Sequence, residues 1–308
     1  MHLIYKTILS SLLFFSLSTG IAQSVDKEKL LKHLEYLSSD DLKGRETLSE
    51  GNKEAQKYLT NYFSTLGLES QYPDFRQKFT FENKRKKEIF EDAVNIVGFI
   101  GGKSSRKLIV VTAHYDHVGI GRKHSGDSIY NGADDNASGT ATLLALAEYF
   151  SINRPEHSMI FGALDAEEMG LQGAKALILD FPFPLEQILV NINMDMISRN
   201  DKGEIYASGT HQNPGLKPIL EKATTGLSPK LMFGHDLPNT GPDNWTQSSD
   251  HGAFYDEGVP HIYFGVEDHK DYHKPSDEFE NIQPDFFYNA ANLILKSILA
   301  LDRELPKE

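Results

Sequence analysis

Residues 107–117 read Lys-Leu-Ile-Val-Val-Thr-Ala-His-Tyr-Asp-His. The first seven form a short β-branched apolar run, the pattern of a strand buried on both faces. The next four are mostly ionisable, so the strand ends where side-chain chemistry begins. Three later runs repeat the arrangement. Residues 158–164 (SMIFGAL) lead into Asp165-Ala-Glu167-Glu168, and residues 188–194 (ILVNINM) into Asp195. Residues 261–264 (HIYF) lead, after a short loop, to Asp271-Tyr272-His273. Helical patterns fall between and after them. One covers residues 138–150, with Leu143, Leu144, Leu146 and Ala147 on an apolar side and Ser138 as the expected N-cap. Others cover 170–179 and 286–301. Strand–helix alternation predicts an α/β fold with a mixed, mostly parallel central sheet flanked by helices.

Upstream, residues 26–38 place Leu30, Leu31, Leu34 and Leu37 at helical spacing. Residues 50–67 do the same with Ala55, Tyr58, Leu59, Tyr62, Phe63 and Leu66, and Gly67 suits a helix C-terminus. A polar loop, SSDDLKGRETLSEG, joins the two. The charged stretch 82–92, with KRKK inside it, reads as a solvated hairpin or loop. Residues 1–22 carry Lys6, a short apolar run and small residues at Gly20 and Ala22, the pattern of a cleavable export signal. The expected plan is a signal at 1–22 and one domain at 23–308, with 23–92 as a helical lead-in and 93–308 as the core.

Composition narrows the function. Of 308 residues, 39 % are hydrophobic, enough for a packed core. The formal net charge of −13 opposes binding to nucleic acid, which demands a basic footprint. No later apolar run reaches the roughly 18 residues of a membrane span, so no membrane association is expected after signal cleavage. A secreted or periplasmic protein is the expectation. Cysteine is absent, which removes disulfides, thiolate metal sites, cysteine nucleophiles and a lipidation site. Any metal site must use His, Asp and Glu, and there are 12 His.

In open α/β sheets, ligands bind beyond the carboxyl ends of the strands. The polar clusters after the four strands, with Gly132-Ala-Asp134-Asp135-Asn136-Ala-Ser-Gly139 before the first helix, therefore converge on one crevice. So many carboxylates repel one another unless cations compensate, which points to more than one metal ion. In His114-x-Asp116 the two side chains project to one side, and Asp116 suits the acceptor that fixes a metal-bound imidazole. Adjacent Glu167 and Glu168 point differently, so one can hold a metal while the other serves as general base. The small residues around Asp135 allow close backbone approach, and the helix that follows favours an ionised carboxylate.

The ordered set AHYDH (113–117), GADDNASG (132–139), DAEEMGLQGA (165–174), NMDM (193–196), SDHGAF (249–254) and YHKPSDE (272–278) resembles the M28 family of zinc peptidases. That resemblance implies a zinc-exopeptidase (phosphorylase/hydrolase-like) fold and two zinc ions per chain. His114 and Asp195 would hold one zinc, Glu168 and His273 the other, with Asp135 bridging; Asp134 is the second choice for the bridge. It further implies Glu167 as the base that takes a proton from the attacking water, Tyr272 as a group polarising the scissile carbonyl, and Asp116 as the orienting residue. The implied activity is release of N-terminal amino acids from peptide substrates. Two alternatives on the same fold are a single-zinc glutaminyl cyclase and a non-catalytic binding protein. His117 and His251 are expected to be structural or orienting, Asp250 to orient a neighbouring element, and Arg45 to be structural. His269 is the nearest competitor to His273, and the Trp245 loop is expected to line the substrate pocket. Oligomeric state stays open.

Overall fold

The four apolar runs become adjacent strands of one sheet. The computed structural model describes residues 23–83 and 87–307, so the expected export signal and residues 84–86 of the charged stretch lie outside the described residues. Helices α1 (Lys27–Leu37) and α2 (Glu50–Thr65) lead in. Strands β1 (Glu69–Ser70), β2 (Arg76–Asn83), β3 (Glu88–Ile100) and β4 (Ser105–His114) follow. A small hairpin, β5 (Gly119–His124) and β6 (Asp127–Tyr130), precedes α3 (Gly139–Ile152), β7 (His157–Leu164) and α4 (Gln172–Leu179). Then come β8 (Ile188–Met194), β9 (Glu204–Ser208), α5 (Lys217–Thr224) and β10 (Lys230–Phe233). The chain closes with α6 (His251–Asp256), β11 (His261–Gly265) and α7 (Pro284–Glu304).

Sheet order is β1-β3-β7-β4-β8-β11-β9-β10, with β2 paired to β3. The central strands β7, β4, β8 and β11 are parallel, so their carboxyl ends share one edge. Antiparallel pairs flank them, β3 on β7 and β9 on β11. Strands β1, β2 and β3 extend the sheet upstream to residue 69, and residues 82–83 and 88–92 of the charged stretch belong to β2 and β3. Alternation did not reveal these strands: β3 is exposed at its start and buried on both faces from Ala93 to Phe99's neighbour Gly98, so neither pattern runs its full length.

Helix α3 departs from the expected two-sided helix. Every residue from Gly139 to Ala147 is buried, because α1 crosses its outer side and the sheet covers its inner side. Ser138 does not cap it. The segment before α3 is kinked, with non-helical dihedrals at Asp135 and Asn136, and the Ser138 hydroxyl donates to the Asp134 carbonyl at 2.7 Å. The Asn136 side chain takes the capping role instead, its Oδ1 accepting from the Gly139 N–H at 2.9 Å. The Asp26 side chain does cap α1, accepting from the Lys29 N–H at 3.1 Å.

The polar loop between α1 and α2 folds inward around Arg45, which is fully buried. Its guanidinium donates to the carbonyls of Tyr115 (2.8 Å), Asn131 (2.7 Å), Gly132 (3.2 Å) and Leu37. One side chain thus ties the lead-in to the loops that follow β4 and β6. Burial lowers its pKa to about 10, with Asp116, Asp135 and Asp277 opposing the drop, so it stays charged at neutral pH. Arg45→Met strands these carbonyls and is expected to cost at least about 3 kcal/mol, read from urea midpoints. A loss below 1 kcal/mol would refute this role.

Buried His33 predicts an acid response. Its Nδ1 lies 2.7 Å from the Tyr58 hydroxyl, and burial pushes the imidazole down to about 4. The folded value is below the unfolded one, so the unfolded chain takes up the extra proton. Stability therefore falls as pH drops below about 6.5, reaching a loss of about 3 kcal/mol near pH 4. His33→Leu should flatten unfolding free energy against pH between 6.5 and 4; an unchanged slope would contradict the assignment.

Candidate metal centre

The parallel strands deliver their terminal residues to Asp135. His114 ends β4, and its Nε2 lies 3.4 Å from Asp135 Oδ1 and 3.4 Å from Oδ2 of Asp195, just past β8. On the other side of the same carboxylate, Asp135 Oδ2 lies 3.0 Å from His273 Nε2 and 3.7 Å from His117 Nδ1. Glu168 Oε1 completes that side, 2.8 Å from His117 Nδ1 and 3.3 Å from His273 Nε2. Two groups result, His114–Asp135–Asp195 and His117–Asp135–Glu168–His273, each with one donor atom per residue inside a 4.8 Å span.

These contacts suit metal ions. Zinc holds N and O ligands at about 2.0–2.2 Å, which in a tetrahedron sets neighbouring donors about 3.4 Å apart. Buried donor atoms also lack hydrogen-bond partners among the described residues: His114 Nε2, both His117 nitrogens, Glu168 Oε1 and Asp195 Oδ1. Each such atom costs about 1–3 kcal/mol when left unsatisfied. Among the described residues, the ion-pair contacts of Asp135, Glu168 and Asp195 are all to imidazoles. An all-nitrogen-and-oxygen donor set of this kind fits zinc.

The Asp135 loop is clamped through its backbone. The N–H groups of Asp134 and Asp135 donate to the Asp277 carboxylate at 3.0 Å each, and the Ala133 N–H to the Asp277 carbonyl at 3.0 Å. The Asn136 side chain donates to the Met194 carbonyl (2.9 Å), joining this loop to the end of β8. The Asp135–Asn136 peptide is cis. Gly132 has φ +57, and a Cβ there would lie 2.0 Å from the Asp135 carbonyl oxygen and 2.5 Å from His117 Cδ2. Only glycine fits.

Asp134, the second choice for the bridge, turns away. Its Oδ1 accepts from the Ser198 N–H (2.6 Å) and its Oδ2 lies 3.0 Å from His269 Nε2. The two competing residues thus pair with each other outside both groups.

Asp116 presents two acceptors to His114. Its backbone carbonyl, at 3.1 Å, is the nearer acceptor to His114 Nδ1; its Oδ1 is 3.6 Å away. The carboxylate accepts from the N–H groups of Glu167 (3.1 Å) and Glu168 (3.4 Å). It therefore sets the turn that sends Glu168 to His117 and His273. Glu167 lines a cavity of about 260 Å³ with Asp195, Trp245, Tyr263 and Tyr272, and shares with His117, Glu168 and His273 the wall of a second one of about 980 Å³. Burial, with the Glu168 and Asp195 charges, pushes the Glu167 carboxyl well above its usual range. The Tyr272 ring lies 4.0 Å from that of His273, and burial with the nearby Asp135 and Glu168 carboxylates keeps its hydroxyl protonated.

Trp245 is part of that cavity wall, stacked on His235 at 3.6 Å with Tyr263 edge-on at 5.8 Å. His251 supports it, with Nε2 2.8 Å from the Trp245 carbonyl; burial drives its pKa to about 3, so it is a neutral donor. Asp250 does not orient a neighbour by hydrogen bonding. It is fully buried, and neither oxygen has a partner among the described residues; burial raises its carboxyl to about 8. His117, expected to be structural or orienting, stands inside the second group. Past the strand end, side chains no longer alternate, so its side of Asp135 was not readable from its spacing to His114. Its place at the close of AHYDH was the available signal.

Residues 95–298 match peptidase family M28. Aminopeptidase YwaD of Bacillus subtilis (strain 168) is 26 % identical over 215 residues, which cover 66 % of this chain and 44 % of that protein. The chain spans about half or less of the sequence relatives it matches first. Among solved structures, a zinc aminopeptidase from Bacillus subtilis superposes with TM-score 0.70 at 17 % identity, covering 89 % of this chain and 94 % of that one. A Bacteroides thetaiotaomicron glutaminyl cyclase bound to N-acetylhistamine gives TM-score 0.71 at 16 % identity, covering 90 % and 98 %. Both share the fold.

If Asp135 serves both groups, zinc should raise the unfolding temperature of the chelator-stripped protein, and Asp135→Asn should remove most of the rise. At a zinc concentration 100 times the dissociation constant, the stabilisation is about 2.7 kcal/mol. A full zinc-dependent rise in Asp135→Asn, by scanning fluorimetry, would show that the groups do not depend on this carboxylate.

Proposed function

The chain belongs to peptidase family M28, and on that premise we propose that it releases N-terminal amino acids from peptides at a centre of two zinc ions. The observation that carries the proposal is the Asp135 carboxylate, which has a His–carboxylate group on each side. In this reading His114, Asp135 and Asp195 hold one zinc, and Asp135, Glu168 and His273 hold the other. The ions would supply polarisation of the scissile carbonyl and a lowered pKa for water.

The protein's own groups do the rest. Glu167 takes the proton of the attacking water and returns it to the leaving amine. Its carboxyl lines the cavity, while its backbone is fixed by Asp116. The Tyr272 hydroxyl donates to the carbonyl oxygen as negative charge develops there. The 260 Å³ cavity, walled by Trp245, Tyr263 and Met196, has room for one amino-acid side chain, and the second cavity of about 980 Å³ on the Glu168 side of Glu167 has room for the rest of a peptide, which supports removal of single residues. Export, read from residues 1–22, is part of the proposal.

A glutaminyl cyclase remains the second reading, since one shares the fold. A single zinc would leave the unsatisfied donors of one group uncompensated, which favours the two-metal peptidase.

The test is a panel of aminoacyl-nitroanilides, their N-blocked counterparts and glutaminyl peptides, assayed with zinc. Free-amine substrates should be cleaved, blocked ones not. Glu167→Gln should lose about 10²–10⁴-fold in turnover while keeping its zinc-dependent rise in unfolding temperature. Cleavage of blocked substrates alone would overturn the aminopeptidase reading. Ring closure of glutaminyl peptides without hydrolysis would establish the cyclase.

A further inference from the structure

We propose that His117 is itself a metal ligand, so that His117, Asp135, Glu168 and His273 form a closed four-residue site that fills first, while His114, Asp135 and Asp195 form an open site that fills second. The inference rests on the two-metal reading and gives the two positions different tasks.

Geometry supports the assignment. His117 Nδ1 lies 2.8 Å from Glu168 Oε1 and 3.7 Å from Asp135 Oδ2. Those values bracket the separation of about 3.4 Å between donors on one tetrahedral zinc. The ring stands edge-on to that of His273, with centroids 5.6 Å apart at 72°, so the two imidazoles approach the same point from different directions.

Burial supports it too. His117 is 1 % exposed, and neither ring nitrogen has a hydrogen-bond partner among the described residues. A cation beside Nδ1 satisfies that atom and relieves its crowding with Glu168. Gly132, where a Cβ would meet His117 Cδ2, packs directly against the ring, and the backbone N–H of His117 donates to the Arg45 carbonyl at 3.4 Å. A ligand locked in position before the metal arrives loses little freedom on binding.

The count of donors then separates the sites. Four protein ligands close a zinc site; three leave a position for water or substrate. By donor count the His117 side is filled and the His114 side keeps a position for water or substrate; Asp195 borders the cavity that Glu167 and Tyr272 line, which Asp135 and His273 also reach, while His117, Glu168 and His273 line a second cavity of about 980 Å³. The tightly held ion would anchor Asp135 and Glu168, and the exchangeable position would face the substrate.

Zinc titration of the chelator-stripped protein, in competition with a chromophoric chelator, tests this. Wild type should bind two zinc ions in two resolved steps. X-ray absorption at one equivalent of zinc should show two imidazoles on the metal, a readout that needs no variant. His117→Ala should weaken the first step by about tenfold or more and leave one imidazole in that spectrum. His114→Ala should leave the first step intact and weaken the second. His117→Asn serves if the alanine variant does not fold, and metal-free melting curves report folding. Two zinc ions bound with an unchanged first step in His117→Ala, or one imidazole at one equivalent in wild type, would overturn the assignment and leave the two-metal reading standing. Fewer than two zinc ions bound by wild type would overturn that reading itself.

Discussion

The Asp135 carboxylate is buried between two sets of imidazoles and carboxylates, and the rest of the structure is arranged around that crowding. Like charges in a low-dielectric crevice repel strongly, and desolvation penalises each one further. Imidazoles lie against these carboxylates, yet several of the donor atoms lack hydrogen bonds. Divalent cations would resolve both problems at once. Holding the donors in place without them falls to the backbone, through the Asp277 carboxylate below Asp134 and Asp135 and the Arg45 guanidinium below Tyr115, Asn131 and Gly132.

Parallel strands make such a centre possible. Because β7, β4, β8 and β11 run the same way, every loop that follows them opens on one edge. Residues far apart in the chain meet there without any strand having to bend. Asp116 divides the labour of the 167–168 turn: its carboxylate fixes both N–H groups, so adjacent glutamates face different spaces. Glu168 joins the donors and Glu167 stands outside both groups.

Much of this was legible in the residues. The runs at 107–113, 158–164 and 188–194 are apolar because both sheet faces are covered, and their boundaries nearly match the strands observed. The motif residues His114, Asp135, Glu167, Glu168, Asp195, Tyr272 and His273 do gather at the strand ends. The flanking strands β2, β3, β9 and β10 were not apparent, since half-exposed and short strands carry weak periodicity. The expected cap at Ser138 failed because its hydroxyl donates to the Asp134 carbonyl while Asn136 Oδ1 accepts from the Gly139 N–H.

The sequence alone determined the type of sheet, the edge on which chemistry sits and the elements able to bind metal, since hydrophobic period and donor chemistry are local properties. Tertiary structure alone decided which donors share a site. Asp134 and Asp135 are neighbours, yet only Asp135 faces the imidazoles of both groups, because Ser198 and His269 engage the Asp134 carboxylate. His114 and His117 are three residues apart, yet lie on opposite sides of that carboxylate. Beyond a strand end no period governs direction, and distant contacts such as Gly132 against His117 set where a side chain points.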